Sequence, residues 1–397
     1  VAGGNIIHAL LGLPVATGMI VVALIVTIYT TLGGLWADTL LDFMQMFLTA
    51  GGITLIFVGV LAAVGGFSGM LNQAGSLYVS NPLTLLPIPG EGYLGYTSYL
   101  ALFYWLAAWM AVGLGSVPTQ DLMQRSMSAR NESVSVWGAY FAGALYLIFG
   151  VMSPLIGIMM FKLNPNIAPE NTEFLLISAA MEHLHPVLTA VFIAALASAL
   201  MSTSDSSILA GASVFTENIL PFFKVKMDDK TKLRWTRLMV VIIGVISITI
   251  ALVAGTIYRL AMVAWSLLLV GLFAPFALGM YWKKANRSGA IAAFLGGFIA
   301  WVALTSFYFP TTLEACAGDF DCGFWDAVYI GSTPAFIISL VLMVAVSLLT
   351  QKADAPLPLT DVDGNPLALK RRLGLLRLKD ALTFGKEEPQ LEPEAAD

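Results

Sequence analysis

Hydrophobic residues along this chain form long runs that are separated by short polar loops. A helix needs about 20 apolar residues to cross a bilayer, and most of the runs reach that length. After a partial helix at residues 1–12, the runs predict nine full spans: 14–34, 39–65, 98–116, 133–161, 186–214, 236–255, 258–281, 289–309 and 329–350. The expected organisation is a transmembrane domain at residues 1–350 and a cytoplasmic tail at residues 351–397.

Composition supports this assignment and narrows the choice of partners. Hydrophobic residues make up 58% of the chain and charged residues 11%, whereas a soluble domain carries about a quarter charged residues. We therefore expect an all-α polytopic membrane protein whose partner is the lipid bilayer. The net charge of -5 is small, and no basic patch is interleaved with aromatic residues, so no nucleic acid partner is expected.

The basic residues indicate how the chain is oriented in its membrane. Apart from Lys162 and Arg259, they all lie in alternate loops and the tail: residues 117–132, 215–237, 282–288 and 351–397. Loops rich in Lys and Arg stay on the cytoplasmic side, which predicts a multi-pass protein of the cell inner (plasma) membrane with a cytoplasmic C-terminus. In the tail, residues 367–382 mix leucines with basic residues. They predict an amphipathic helix that lies on the inner leaflet or is solvated in the cytoplasm.

The span at residues 186–214 changes from apolar to polar partway along its length. At helical spacing Ala199, Ser202, Thr203 and Ser206 share one face, and Asp205 flanks it. Carbonyl, hydroxyl and carboxylate oxygens form a hard environment that suits a small cation such as Na⁺. Small residues and serines also let helices pack closely, which is the alternative for the hydroxyls alone. The carboxylate favours a site, because an ionisable group inside a span is costly.

Four stretches resemble the motifs of one family. ALASALMSTSDSSILAGASVFTENIL resembles the signature helix of the solute:sodium symporter family, which includes sodium-coupled proline, sugar, sialic acid, pantothenate and choline carriers. YTTLGGLWADTLLDFMQ, residues 29–45, resembles its Asp-x-x-Gln motif, with Asp42 as the acid and a break between spans at Gly33 and Gly34. Residues 112–130 and 263–300 resemble its glycine-rich Gln-Arg stretch and its helix pair joined by a Tyr-Trp-Lys loop.

The resemblance implies a fold of five-plus-five inverted repeats, with substrate and ions near the membrane midplane. On that scheme the first repeat is incomplete, because residues 1–12 correspond to its third helix and its first two helices are absent. The first helix supplies backbone carbonyls to the sodium in this family. As written, the chain is therefore expected to bind sodium poorly and not to transport.

The resemblance also implies a main sodium site. Its ligands in this chain would be the carbonyl oxygen of Ala199 and the hydroxyls of Ser202 and Thr203, and Na⁺ would be the coupling ion. Residues 112–130 contain Gly113, Gly115 and Pro118, which are expected to break a helix, and broken helices line transporter binding sites.

A second cation site occurs in part of the family. Here it would use Asp42 with Ser202, Asp205 and Ser206, although the family often has Ser where Asp205 stands. Two carboxylates near one cation would bind it more strongly, or one of them would stay protonated. The additional acid Asp38 is expected to be a solvated residue at the start of a helix.

Two interpretations are open for each of two further groups of residues. Asp121 and Arg125 are spaced i, i+4 and are expected to pair on a helix face, with control of an inner gate as the alternative. Tyr104, Trp105 and Trp109 lie outward from the predicted helix break. They are candidates for the wall of a substrate cavity, or else they are interfacial or core aromatics.

The function that the resemblance implies is sodium-coupled secondary active uptake of a small organic solute, an amino acid, amine or carboxylate, by alternating access. The alternatives are a membrane sensor module derived from a symporter, and a carrier coupled to protons through Asp42 or Asp205. No enzyme motif is present, so an enzyme is not expected. Cys316 and Cys322 are close enough in sequence for a disulfide in an oxidising compartment, and two free thiols are the alternative.

Overall fold

The computed structural model of the protein describes residues 1–71, 92–164, 174–223, 228–254, 256–358 and 360. These residues are helical apart from turns, loops and one isolated bridge between Tyr93 and Tyr96. Eight segments within them are long and apolar enough to cross a membrane. The prediction of an all-α polytopic membrane protein is therefore confirmed. The amphipathic helix expected at residues 367–382 lies outside the described residues.

The helices are numbered in chain order over the described residues. The first nine are α1 (Ala2–Leu11), α2 (Val15–Ala63), α3 (Gly66–Leu71), α4 (Ser98–Gly113), α5 (Gln120–Met127), α6 (Glu132–Gly150), α7 (Met152–Leu163), α8 (Leu175–His183) and α9 (Pro186–Val214). The remaining six are α10 (Leu220–Phe222), α11 (Asp229–Ala254), α12 (Ile257–Leu268), α13 (Ala274–Tyr281), α14 (Arg287–Ala315) and α15 (Phe320–Leu349). Wider π-helical turns at Phe215–Ile219 and Leu269–Phe273 join α9 to α10 and α12 to α13.

Helix α2 is two membrane spans joined at a glycine. Gly34 has φ 58° and ψ −161°, a conformation that residues with a Cβ rarely adopt. The break separates the candidate spans Val15–Trp36 and Asp38–Ala63. This confirms the predicted break, and it places Asp38 at the start of the second span.

A second interruption separates α4 from α5. Helix α4 ends at Gly113, a series of turns follows, and α5 begins at Gln120, as the glycines and proline of this stretch predict. A Cβ on Gly115 would lie 2.3 Å from the carbonyl oxygen of Trp265, so only glycine lets the chain cross α12 this closely. Beyond the crossing, α5 packs on α9, where the Gln124 amide donates to the Ser213 hydroxyl over 3.2 Å.

Helices α2 and α9 approach each other closely in the centre of the fold. A Cβ on Gly52 would lie 2.7 Å from the Ala195 methyl group, and the Thr49 hydroxyl donates to the Ala195 carbonyl oxygen over 3.4 Å. Ile56 and Phe192 are buried beside this contact. Helices in a bilayer associate through such packing and polar contacts, because lipid tails are as apolar as leucine. The close approach holds the polar part of α9 against the second half of α2.

At one end of the α14–α15 hairpin a disulfide joins Cys316 and Cys322. The structure thus favours the disulfide over two free thiols. Near it, Asp326 accepts hydrogen bonds from the hydroxyls of Tyr96 over 2.7 Å and Tyr104 over 3.0 Å. The buried Tyr104 ring stacks on Tyr329 at a centroid distance of 5.2 Å. These contacts fasten α4 and the turn before it to α15.

The other end of the hairpin is closed by polar contacts with residues after α15. The Asn286 amide donates to the Thr350 hydroxyl and to the Asp354 carbonyl oxygen, both over 2.8 Å, and its oxygen caps α14 through Gly289. Hydrogen bonds from the side chain and backbone of Ser288 hold the pKa of Asp354 below its usual value. These contacts tie the chain beyond α15 to the start of α14.

Candidate cation site

The polar residues of α2 and α9 meet where the two helices pack. Asp38 and Asp42 are spaced i, i+4 on α2, and Asp205 lies on α9. Carboxylate oxygens of these three residues all lie within 4.8 Å of one another. The structure therefore brings together the predicted second-site acids Asp42 and Asp205, and it adds Asp38 to them.

Asp42 is the residue that connects this cluster to the polar face of α9. One carboxylate oxygen accepts a hydrogen bond from the Ser202 hydroxyl, and the other accepts one from the Arg125 guanidinium. The side chain is partly exposed, which leaves it open to ions. Each oxygen of an ionised carboxylate has about two lone-pair sites, so one hydrogen bond to each oxygen leaves lone pairs for a cation.

Asp38 is buried, with 3% of its surface exposed, and the prediction that it is solvated is wrong. The hydroxyl of Ser206 lies 2.8 Å from Asp38 Oδ1 and 2.9 Å from the Ser202 carbonyl oxygen, and its single proton goes to one of them. Asp38 is buried where the second half of α2 meets α9, and its contact there is the Ser206 hydroxyl. The position of Asp38 at the start of a predicted helix does not indicate which other helix packs over its side chain.

Asp205 is fully buried and its carboxylate is held on both sides. The Tyr29 hydroxyl donates to Oδ2 over 2.7 Å, and the Ser206 backbone N–H donates to Oδ1 over 2.8 Å. Sequence analysis did not assign Tyr29 this role, although the tyrosine belongs to the 29–45 motif. The signal for this role in the sequence is that Tyr29 is a hydroxyl-bearing residue inside an apolar span and belongs to the same motif as Asp42.

Arg125 reaches this cluster from α5. Its guanidinium donates to Asp42 and to the Ser206 hydroxyl, and it lies 3.5 Å from Asp38 Oδ2. No ion pair joins it to Asp121 in the part of the chain that the structure describes, so the predicted i, i+4 pair is wrong. Both acids on α2 lie within ion-pair distance of the guanidinium, and Asp38 is buried, so their attraction for the guanidinium is stronger than that of Asp121.

The residues of the predicted main site lie on the adjoining face of α9. The exposed Thr203 hydroxyl donates to the Ala199 carbonyl oxygen over 3.1 Å. Ser202 is one residue away, and its hydroxyl is bound to Asp42. The predicted face is therefore present, while the binding of sodium by these three residues stays a prediction.

The aromatic residues of α4 take two different positions. Tyr104 is buried against α15 and donates to Asp326, whereas Trp105 and Trp109 lie side by side with ring centroids 6.3 Å apart. A cavity of about 300 Å³ lies among α1, α2, α9, α11 and α12, and these three aromatics are not among the residues that line it. Their role in a substrate cavity stays a prediction.

The chemistry of the α2–α9 cluster is that of a site for hard cations. It contains the carboxylates of Asp38, Asp42 and Asp205 and the single guanidinium of Arg125. Acidic groups thus outnumber the basic one inside a membrane-spanning region, where unpaired charge is costly. A cation bound among these oxygens would offset part of that cost, and carboxylate and hydroxyl oxygens are the ligands that such ions prefer.

Comparisons with known proteins agree with the geometry. Residues 1–297 match the family model of the sodium:solute symporter family. A solved structure of a Na⁺-coupled sialic acid symporter superposes with a TM-score of 0.61 at 20% identity, covering 88% of this chain and 70% of that chain. This likeness confirms the predicted symporter fold.

Sequence relatives include carriers of amino acids and amines. The osmoregulated proline transporter OpuE of Bacillus subtilis is 26% identical over 89% of this chain and 67% of its own length. The sodium/proline symporter of Staphylococcus aureus is 28% identical over 89% and 66%, and the human high affinity choline transporter 1 is 26% identical over 74% and 50%. The chain thus spans about two thirds of the length of the proline carriers and half of the choline carrier. These relatives are transporters and not enzymes, and the match over residues 1–297 shows that the chain belongs to the sodium:solute symporter family.

Proposed function

We propose that the protein uses the inward Na⁺ gradient to drive uptake of a small organic solute by alternating access. The observation that carries this proposal is the α2–α9 junction, where three carboxylates and two serine hydroxyls meet within a membrane-spanning region. Structural packing alone does not need acids there, because small residues and hydroxyls suffice for close helix contact.

The main sodium site uses the Ala199 carbonyl oxygen and the hydroxyls of Ser202 and Thr203. Its support is the common face of these residues on α9 and the exposure of Thr203 on that face. Ser202 belongs to both sites, because its hydroxyl also binds Asp42. Occupancy of one site therefore affects the other through a shared ligand.

The second cation site uses Asp42, Asp205 and Ser206, with Asp38 as an added acid. Gln45 supports this assignment, since it lies one helical turn from Asp42 on the same face of α2. Its side-chain oxygen is buried, and it has no hydrogen-bond partner in the described parts of the chain. A buried acceptor without a donor is costly unless it binds an ion or water.

The solute is a small organic amino acid, amine or carboxylate. The relatives support this range, because they are named as carriers of proline, choline and sialic acid. Trp105 and Trp109, together with Tyr104, stay candidates for the cavity wall. The protein acts in the cell plasma membrane with its C-terminus in the cytoplasm, and the asymmetry of its basic residues supports that orientation.

Uptake of labelled proline and choline tests the proposal. The protein, expressed from its complete gene in cells without other uptake of these solutes, should accumulate one of them only when Na⁺ is outside. A sodium ionophore should abolish the accumulation, and Ser202→Ala should reduce it about tenfold or more, in line with couplings of about 1–3 kcal/mol between sites. Ser306→Ala, which removes an exposed hydroxyl of α14 that bonds the Val302 carbonyl oxygen of its own helix, is the control.

Two outcomes would contradict this proposal, one for the coupling ion and one for uptake itself. Accumulation that a protonophore abolishes and that Na⁺ does not affect would replace sodium by protons, with Asp205 or Asp42 as the carrier. Failure of the well-folded protein to take up any amino acid, amine or carboxylate from a broad panel would reject the uptake proposal.

A further inference from the structure

Arg125 contacts the same oxygens that the second cation site requires. It donates to Asp42 Oδ2 and to Ser206 Oγ, and it lies 3.5 Å from Asp38 Oδ2. A guanidinium has donors only, so each of these oxygens serves as an acceptor. Sodium binds oxygen through the same lone pairs.

The position of these contacts makes simultaneous occupancy unfavourable. A sodium ion bound to Asp42 and Ser206 would lie within a few ångströms of the guanidinium, and two like charges at that distance repel each other even near a protein surface. Arg125 is 41% exposed, whereas Asp38 is 3% exposed. The arginine therefore enters the cluster from its open side and can leave by the same side, while the acids stay.

The helix that carries Arg125 is also suited to movement. It sits on α5, which has eight residues and is joined to α4 by turns that cross α12 at Gly115. Apart from the contacts of Arg125 with the acids and with Ser206, α5 is linked to α9 by the hydrogen bond between Gln124 and Ser213. A short helix with few polar links can shift at lower cost than a long packed span.

We propose that Arg125 is a tethered cation that competes with Na⁺ for the second cation site. This inference rests on the proposed second site and adds a regulator to it. Sodium binding displaces the guanidinium and releases α5 from α2 and α9. By reciprocity, any event that releases α5 raises the affinity for sodium.

The test is the Na⁺ concentration that gives half-maximal thermal stabilisation of the purified protein, measured against KCl at equal ionic strength. Arg125→Gln should lower that concentration by about tenfold or more, a difference of about 1.4 kcal/mol. Arg125→Lys, which keeps the charge, should change it much less. Arg130→Gln removes an equal charge a few residues further along the chain and should leave it unchanged. If Arg125→Gln fails to fold, Gln124→Ala removes the hydrogen bond that links α5 to Ser213 of α9 and keeps every acid, and it should also lower that concentration, because it releases α5.

A second readout separates competition from a purely structural role. Sodium should accelerate trypsin cleavage after Arg130 in the wild-type protein, because α5 is released, and potassium should not. In Arg125→Gln, cleavage should be fast with or without sodium. An unchanged or higher half-maximal concentration in Arg125→Gln would overturn the competition. If neither wild type nor Arg125→Gln responds to sodium, the second site itself is wrong, and the competition falls with it.

Discussion

Asp42→Asn should remove most of the stabilisation that Na⁺ gives to the purified protein. Asp42 is the acid that binds both the Ser202 hydroxyl and Arg125, so it lies between the two proposed cation sites. Asparagine keeps the size and one carbonyl oxygen, but it loses the charge that attracts a cation. Saturable binding stabilises a folded protein by RT ln(1 + [L]/Kd), about 2.7 kcal/mol at a hundredfold excess over Kd.

The measurement is the unfolding temperature in detergent at increasing NaCl, with KCl and N-methylglucamine chloride as ionic-strength controls. Asp42→Asn also weakens the pairing of Arg125, so the readout is the dependence on sodium and not the unfolding temperature itself. Asp121→Asn removes a carboxylate from α5 without touching the cluster and should keep the full response. A full sodium response in Asp42→Asn would show that sodium binds elsewhere.

Asp326→Leu should destabilise the protein strongly without any change in its response to sodium. Asp326 accepts hydrogen bonds from Tyr96 and Tyr104, which are 5% and 7% exposed. Leucine has a similar shape but leaves two buried hydroxyls without an acceptor. Each such group costs about 1–3 kcal/mol.

A set of variants distinguishes this cause from a general packing defect. Asp326→Asn keeps an acceptor oxygen and should cost less than Asp326→Leu. Adding Tyr96→Phe and Tyr104→Phe to Asp326→Leu should recover part of the loss, because replacing both partners of a buried hydrogen bond by apolar groups can be nearly neutral. The measurement is the unfolding temperature of each purified variant in detergent. The explanation fails if the triple variant unfolds at no higher temperature than Asp326→Leu, or if Asp326→Leu unfolds at the same temperature as wild type.

Local patterns in the sequence predict the all-helical membrane fold and one wall of the site, although the predicted span at 98–116 is the shorter helix α4, Ser98–Gly113, and eight span-length helices lie in the described residues. Apolar runs predict the membrane spans, and glycine at position 34 marks a break because its backbone adopts a positive φ. The helical period places Ala199, Ser202 and Thr203 together, and the structure has that face. The family motifs indicate Asp42 as a candidate cation ligand, and its side chain contacts Ser202 although 160 residues separate them in the chain.

The rest of the cluster depends on contacts between residues that are distant in sequence. The i, i+4 rule favours a pair between Arg125 and Asp121, yet the guanidinium turns to Asp42, 83 positions away. Asp38 looks solvated from its neighbours in sequence, and it is buried because α9 covers it. No local pattern encodes which helix covers a given face, so these contacts needed the folded structure.

The same limit applies to the contact between α4 and α15. Tyr104 and Asp326 are separated by 222 residues, and nothing near either residue indicates the other. The sequence places Tyr104 with Trp105 and Trp109 as candidates for the cavity wall, which stays a prediction, and it gives no sign of the hydrogen bond to Asp326. Aromatic residues in membrane helices have several common roles, and sequence position alone does not separate them.

Direct binding of ²²Na⁺ to protein purified after expression from its complete gene, as in the uptake test, is the sharpest test of the central claim, which is that the α2–α9 junction binds sodium. The account predicts saturable binding that unlabelled Na⁺ displaces and K⁺ does not, with strong losses in Asp42→Asn and Ser202→Ala. The control variant Asp121→Asn should bind as wild type does. Absence of saturable binding in folded wild-type protein, or equal binding in wild type and Asp42→Asn, would contradict the account.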